Sequence, residues 1–317
     1  MKPITLIFFA LLIFLCIALP TILLIGKSTS ASGVVRLKGN VVDVKNNIIL
    51  IIGQNKSNQL FVNSIKLYLS RNDITDIILV TWKDTNIQFV ENLDSIKKVL
   101  VSNKKFRLGI EYQKYLYDIG LEYINNNYKP DDIYILKTRM DVFISNHQLD
   151  YIFSQSYKIN LQKTLFPYKI WIAWAHITKP FYIDDALFYS HISVMRNLSP
   201  YVGNLFEVQG HGHIRWFLLL AREYNLYKEP KSYYHYEKMN STFVLNETTK
   251  AILRKYRQCI KDHFIIKTLK DGISFRRYNK FKFYKKPSDN IEDIIKGKAI
   301  SNLKIVYDDE DFFSVNL

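Results

Sequence analysis

The stretch Asp132–Asp141 reads DIYILKTRMD, and its interpretation decides the fold. Four consecutive apolar residues, Ile133 to Leu136, are too few for a helix but suit a strand covered on both faces, the kind found in parallel sheets. Working outward, Pro130 and the Asn125-Asn126-Asn127 run close a helical pattern over 110–126 that carries Ile110, Leu116, Tyr117, Leu121 and Ile124. Further back, Ile96–Val101 and Asp76–Thr81 (DIILVT) read as strands, Gln59–Arg71 as a helix and Asn47–Gly53 (NIILIIG) as the first core strand. Strands alternating with helices predict an α/β fold with a mostly parallel sheet and right-handed crossovers. Ligands of such sheets bind at the carboxyl ends of the strands. Three polar patches follow apolar strands and are expected to share one rim: Gln54-Asn55, Trp82-Lys83-Asp84 and Thr138-Arg139-Met140-Asp141.

Residue chemistry ranks these patches. Alternation along a strand puts Lys137 and Arg139 on one face, where two fixed cations can neutralise a departing phosphate. Asp141 is placed to hold a divalent ion, with a plain Arg139–Asp141 pair as the other reading. Downstream, Phe181–Tyr189 (FYIDDALFY) sets Asp184 and Asp185 among aromatics, a setting that suits a general base or contacts to sugar hydroxyls, while a helix N-cap is the structural alternative. Glu207 is a third candidate acid. It precedes Gly210-His211-Gly212-His213, whose two imidazoles lack a nearby third ligand for zinc. His235 lies in the aromatic run Tyr233–Tyr236, where packing is favoured over a ligand role.

The chain has 317 residues, 48% of them hydrophobic and 15% aromatic, enough for a large core. Its formal charge of +15 suits phosphates, anionic lipid or anionic sugar donors, and no zinc-finger spacing, RNP motif or basic heptad region argues for nucleic acid. Two cysteines, Cys16 and Cys259, give no disulfide framework or thiolate metal site. Ile4–Ile25 is an uncharged run of 22 residues, the length of a helix spanning about 30 Å of hydrocarbon. The expected organisation is therefore a single transmembrane anchor over 1–26, a linker over 27–46, an α/β domain over 47–260 and a basic, then acidic, extension over 261–317 ending near Asp308-Asp309-Glu310-Asp311, read as a solvated or loosely docked tail. Asn55, Asn240 and Asn246 begin glycosylation sequons that matter only in a secretory lumen.

Taken in order, the strand-end residues resemble the WavE lipopolysaccharide-synthesis family, a group of glycosyltransferases with a nucleotide-diphospho-sugar-transferase (GT-A-like, Rossmann-type) fold. Val80-Thr81-Trp82 stands where that family has Ser-Thr-Trp, Gln113 precedes Gly120-Leu121 at the family's spacing with Glu111-Tyr112 in place of Asn-Arg, and Lys137-Thr138-Arg139-Met140-Asp141 fits its Lys-x-Arg-x-Asp strand end. Ile183-Asp184-Asp185 is similar to its later Asp-Trp segment, with Asp185 in place of Trp. The resemblance covers about residues 47–225. It implies a nucleotide-sugar donor held by Gln54, Thr81, Trp82, Gln113, Lys137 and Arg139, a divalent metal (Mn2+ or Mg2+) at Asp141, catalytic acids among Asp184, Asp185 and Glu207, and a glycolipid or polysaccharide acceptor at a membrane. The competing expectation is a catalytically silent, membrane-tethered binding or scaffold protein of the same fold; a nuclease or phosphatase would need a second carboxylate cluster beside Asp141.

Overall fold

The computed structural model describes residues 36–37, 40–41, 45–54, 58–106, 109–129, 132–159, 166–178, 180–202, 212–226, 247–275 and 305–316. The chain divides into two units, Met1–Val44 and Lys45–Leu317. In the first, β1 (Arg36–Leu37) pairs antiparallel with β2 (Asn40–Val41). The expected span Ile4–Ile25 lies outside the described residues, and no helix among those described is long and apolar enough to cross a membrane.

The second unit is built on the predicted alternation. Strand β3 (Asn46–Ile52) leads through α1 (Asn58–Leu69) to β4 (Ile74–Trp82), then β5 (Ile96–Val101), α2 (Gly109–Asn127) and β6 (Ile133–Arg139). Each of these strands lies parallel to its sheet neighbours β4, β3 or β6, with β3 between β4 and β6. Helix α1 packs Phe61, Ile65 and Tyr68 against one face of the sheet, and α2 packs Leu116, Tyr117, Leu121 and Ile124 against the other. The strands are apolar on both sides because both sides are covered, each buried Ile or Leu contributing about 1.5–3 kcal/mol. At Gly120 the helix nearly touches the sheet: a Cβ there would stand 2.6 Å from Leu50 Cδ1.

After β6 the pattern changes. The short strand β7 (Val142–Ile144) and α3 (Asn146–Ser154) lead to β8 (Ile170–Ile172), β9 (Ala175–His176), β10 (Phe188–His191), α4 (Ile192–Met195), α5 (Gly212–Trp216), α6 (Leu218–Glu223), α7 (Glu247–His263) and β11 (Phe264–Ile266). Among the described residues the main sheet has seven strands in the order β11-β8-β10-β6-β3-β4-β5. Only β10 is reversed: it is antiparallel to β6 and β8, while β11 is parallel to β8.

Residue 260, the expected end of the α/β domain, lies within α7, and the edge strand β11 that follows pairs with β8 of the main sheet. The acidic end is not a loose tail either. Strand β12 (Ile273–Phe275) pairs with β7, β13 (Ile305–Val306) pairs with β9, and α8 (Asp309–Phe313) is capped by Asp308, which also pairs with Lys267. Arg257 fastens the segment by donating to the carbonyls of Phe313 and Val315.

Candidate active site

The reversed strand explains how distant acids reach the strand-end cations. Strands β3, β4 and β6 all finish on one rim, and β10 begins there, with Phe188 opposite Lys137 in register. The loop just before it, Ile183–Leu187, therefore hangs over the end of β6. Trp174, two residues beyond β8, reaches the same rim and accepts the Asp184 amide on its carbonyl at 3.1 Å.

Lys137 and Arg139 share a face of β6, as alternation requires, but their environments differ. Lys137 is fully buried and its Nζ donates to the main-chain carbonyl of Asp185. The same Nζ lies 4.6 Å from the centre of the Trp216 ring and 5.0 Å from that of Phe188, an aromatic cradle that stabilises a desolvated ammonium by about 2 kcal/mol. Burial pushes this lysine down to about 7; Arg139 lowers it further, and Asp185, Asp184 and Asp141 oppose the shift. Asp184 is 1% exposed, with Oδ1 accepting the Ala186 amide at 2.9 Å and Oδ2 enclosed without a partner among the described residues. Burial, then the charge of Asp185, pushes its carboxyl up to about 7, against the pull of the Ala186 amide, Lys137 and Arg139. Each charge opposes the burial-driven shift of the other, the ammonium favouring the ionised carboxylate and the carboxylate favouring the ammonium.

Asp141 is engaged otherwise. Strand β6 ends at Arg139, and the following turn folds Asp141 back so that Arg139 Nε and Nη2 reach its two oxygens at 2.8 and 2.6 Å. A bidentate guanidinium satisfies the carboxylate in the plane where a metal would bind. Among the described residues, no group of three or more His, Cys, Asp or Glu is placed to hold a metal ion. The residues present do not fit the divalent site expected at Asp141; the charge available to an anion here is that of Lys137 and Arg139.

The other expected donor residues divide by burial. Gln54 is exposed on the rim beside Gly53, whose φ of +112° only glycine adopts without strain. Thr81 is buried and ties two rim turns together, donating to Gly53 O at 2.6 Å and lying 2.9 Å from Thr85 Oγ1. It positions the rim and does not face it. Trp82 is 3% exposed and stacks on Tyr115 at 5.8 Å with Tyr112 at its edge, so its ring is a packing surface. Gln113, near the start of α2, is half-buried with Oε1 enclosed and unpartnered among the described residues, which suits an incoming donor group. Glu207, His211 and His235 lie outside the described residues.

Sequence reasoning passed over one side of the site. Helix α5 places His213 and Trp216 three residues apart on one face. Trp216 cradles Lys137, and His213 Nδ1 stands 3.3 Å from Asp185 Oδ1. Trp174 and Tyr182 flank the imidazole with ring centres 5.5 and 4.6 Å from it. The histidine was visible in Gly-His-Gly-His, but spacing raised only the question of zinc; its partner Asp185 is brought in by the reversed strand.

Fold and site together define an α/β protein with a mostly parallel sheet whose strand-end rim joins a buried lysine and a part-exposed arginine to buried carboxylates. No protein-family model matches the chain, and no curated protein matches it in sequence. Among solved structures it is similar to the apo glycosyltransferase GlyE of Streptococcus pneumoniae, at 10% identity and TM-score 0.35 over 67% of this chain and 60% of that one. It is also similar to the galactosyltransferase LgtC in complex with donor and acceptor sugar analogues, at 10% identity and TM-score 0.34 over 72% and 86%. A third is apo mouse xyloside xylosyltransferase 1, at 11% identity and TM-score 0.33 over 75% and 99%. These likenesses are partial.

Proposed function

We propose that the chain is a glycosyltransferase that draws its sugar from a nucleotide-sugar donor and seats the donor diphosphate on Lys137 and Arg139. The observation that carries this reading is the buried ammonium of Lys137 at the end of a parallel strand, with Arg139 on the same face and a two-acid loop bonded to it through Asp185 O. Burying a cation costs several kcal/mol unless something compensates, and an anion completing the site is the compensation a strand-end rim offers. The motif order that resembles the WavE family supports the same assignment.

In the reaction, an acceptor hydroxyl oxygen bonds to the anomeric carbon as the carbon–oxygen bond to the diphosphate breaks, and the electron pair leaves with the nucleoside diphosphate. Lys137 and Arg139 stabilise that developing negative charge from fixed positions in a water-poor site, where it counts most. The hydroxyl proton passes to a base on the acid loop side. A glycolipid or polysaccharide acceptor and a membrane tether over Ile4–Ile25 complete the proposal.

Calorimetry of the full chain against UDP-, GDP-, CDP- and dTDP-sugars tests it. One donor class is expected to bind and to release its nucleoside diphosphate on incubation, with Lys137→Met weakening binding about 10- to 100-fold and slowing release. Absence of binding across the panel would leave a silent scaffold as the better account.

A further inference from the structure

On the rim around Lys137, three enclosed polar atoms have no partner among the described residues, and each comes from a different element: Gln113 Oε1 of α2, Asp184 Oδ2 of the acid loop and Trp216 Nε1 of α5. The first turns of α2 stand at the rim, because the chain enters this helix from the carboxyl end of β5 and returns to the start of β6. Gln113 precedes Tyr117 by one turn on the same helix face, and the Tyr117 ring lies 5.0 Å from that of Trp216 and 6.2 Å from that of Phe188. The charge of Glu111, in the first turn of α2, acts on Arg215 of α5, so the two helices face each other at this level. Trp216 covers the Lys137 ammonium, and Asp184 adjoins Asp185, whose carbonyl accepts from that ammonium. Asp184 and Trp216 are each 1% exposed, and a hydrogen bond left unmade at such depth is destabilising. Lys137 is enclosed with them, so a donor that reaches its ammonium opens the way to these atoms as well.

The hydrogen-bonding character of the three atoms limits what can meet them. The indole N–H only donates and the amide oxygen only accepts, while the Asp184 carboxyl, held up to about 7 by burial and then by the charge of Asp185, does either near neutrality. A phosphate oxygen or a carboxylate only accepts, so it would leave Gln113 Oε1 unsatisfied. A hydroxyl both gives and takes a hydrogen bond, and a sugar ring carries several at fixed spacing. We propose that Gln113, Asp184 and Trp216 form the subsite for the transferred sugar and select a neutral, hydroxyl-bearing sugar over a sugar carboxylate. This subsite rests on the glycosyltransferase reading and names the class of sugar that is moved. It divides the work of the rim: Lys137 and Arg139 take the diphosphate, and the three unpartnered atoms take the hydroxyls of the sugar attached to it. Trp216 serves both, with its ring face on the ammonium and its N–H edge toward the sugar.

The full chain is titrated calorimetrically with UDP-glucose, UDP-galactose, UDP-glucuronate, GDP-mannose and dTDP-glucose, and with UDP, GDP and dTDP alone. A donor with a neutral sugar is expected to bind best among the nucleotide sugars. Gln113→Met keeps the reach of the side chain and loses the amide, and it should lower the ratio of donor affinity to nucleoside diphosphate affinity about 3- to 10-fold. Trp216→Phe keeps an aromatic face toward Lys137 and loses the N–H, and it should lower the same ratio by a similar factor. A ratio unchanged in one variant strikes that residue from the subsite. A ratio unchanged in both assigns the three atoms to bound water and overturns the subsite, while nucleoside diphosphate binding that weakens in Lys137→Met leaves the cation seat standing. UDP-glucuronate as the tightest nucleotide sugar of the set overturns the selection for a neutral sugar. A wild-type chain that binds none of the nucleotide sugars overturns the glycosyltransferase reading itself.

Discussion

Two carboxylates on one rim, Asp141 and Asp184, are both largely withdrawn from water, at 6% and 1% exposure, yet they meet opposite fates. Asp141 is closed by Arg139, two oxygens against two nitrogens, and has nothing left to offer. Asp184 has one oxygen on a backbone amide and the other enclosed without a partner among the described residues, with its proton held to about pH 7. A satisfied carboxylate is structure; an unsatisfied one beside a buried ammonium is poised to respond to a ligand. The strand-end motif that marks the fold therefore supplies the cations, and the loop before the reversed strand supplies the responsive acid.

The largest effect should come from breaking the cation side. Lys137→Met removes a charge-assisted contact to a diphosphate and is expected to weaken nucleoside diphosphate binding about 10- to 100-fold. The melting temperature should fall as well, because the substitution leaves the Asp185 carbonyl and the Asp184 carboxyl without the ammonium. Calorimetry and a melting curve on the same sample separate the two effects.

Gly120→Val tests the other half of the unit, far from the acids. The branched side chain must enter the space of Leu50 and Val80, and overpacking of this kind costs about 1–3 kcal/mol. Chemical denaturation should show that loss, with ligand affinity preserved. Asp141→Asn, by contrast, frees Arg139 and should cost about 1–2 kcal/mol of stability for the broken charged pair. Because Arg139 stays on the rim, diphosphate affinity should hold within a few-fold; an abrupt loss together with a loss of metal dependence would return Asp141 to a ligand role.

A smaller effect sharpens the contrast through pH. The folded-state proton affinity of Asp184 is raised from 3.8 to about 7, so between these values the native protein holds a proton that the unfolded chain has lost. Stability should fall as pH rises through that window, with a slope no steeper than about 1.4 kcal/mol per pH unit for one proton. In Asp184→Asn this contribution should vanish, which denaturation at pH 5 and pH 7 can read.

How far the sequence foretold this follows from the range of the forces involved. Strands β3 to β6 and helices α1 and α2 were legible because their burial is periodic and local: apolar runs covered on both faces, and helices whose buried stripe returns every three or four residues. The shared rim followed from their parallel order. Strands β8, β10 and β11 have three or four residues each and are defined by partners remote in the chain, so no local period marks them. Hence Asp184 and Asp185 were found as residues, but not their approach to Lys137, and the burial of Lys137 between Phe188 and Trp216 had no signature at all. Asp141 shows the limit most sharply: continued alternation would have left its carboxylate projecting from the rim, whereas the strand ends at Arg139 and the turn returns it to the guanidinium.

The central claim is that protein cations, with the Lys137–Asp184 pair controlling their charge, seat the diphosphate. Whichever member of that pair gives up the proton above pH 7, the site loses one positive charge, so anion affinity must fall as pH rises through 7. The direct measurement is calorimetric affinity for UDP-, GDP-, CDP- and dTDP-sugars, whose diphosphate diesters keep a constant charge in this range, at pH 6 and pH 8 in the presence of EDTA. The account predicts binding at pH 6 that weakens several-fold at pH 8 and is about 10- to 100-fold weaker in Lys137→Met. Affinity that is flat between the two pH values, or that is absent in EDTA and restored by Mn2+, would contradict it.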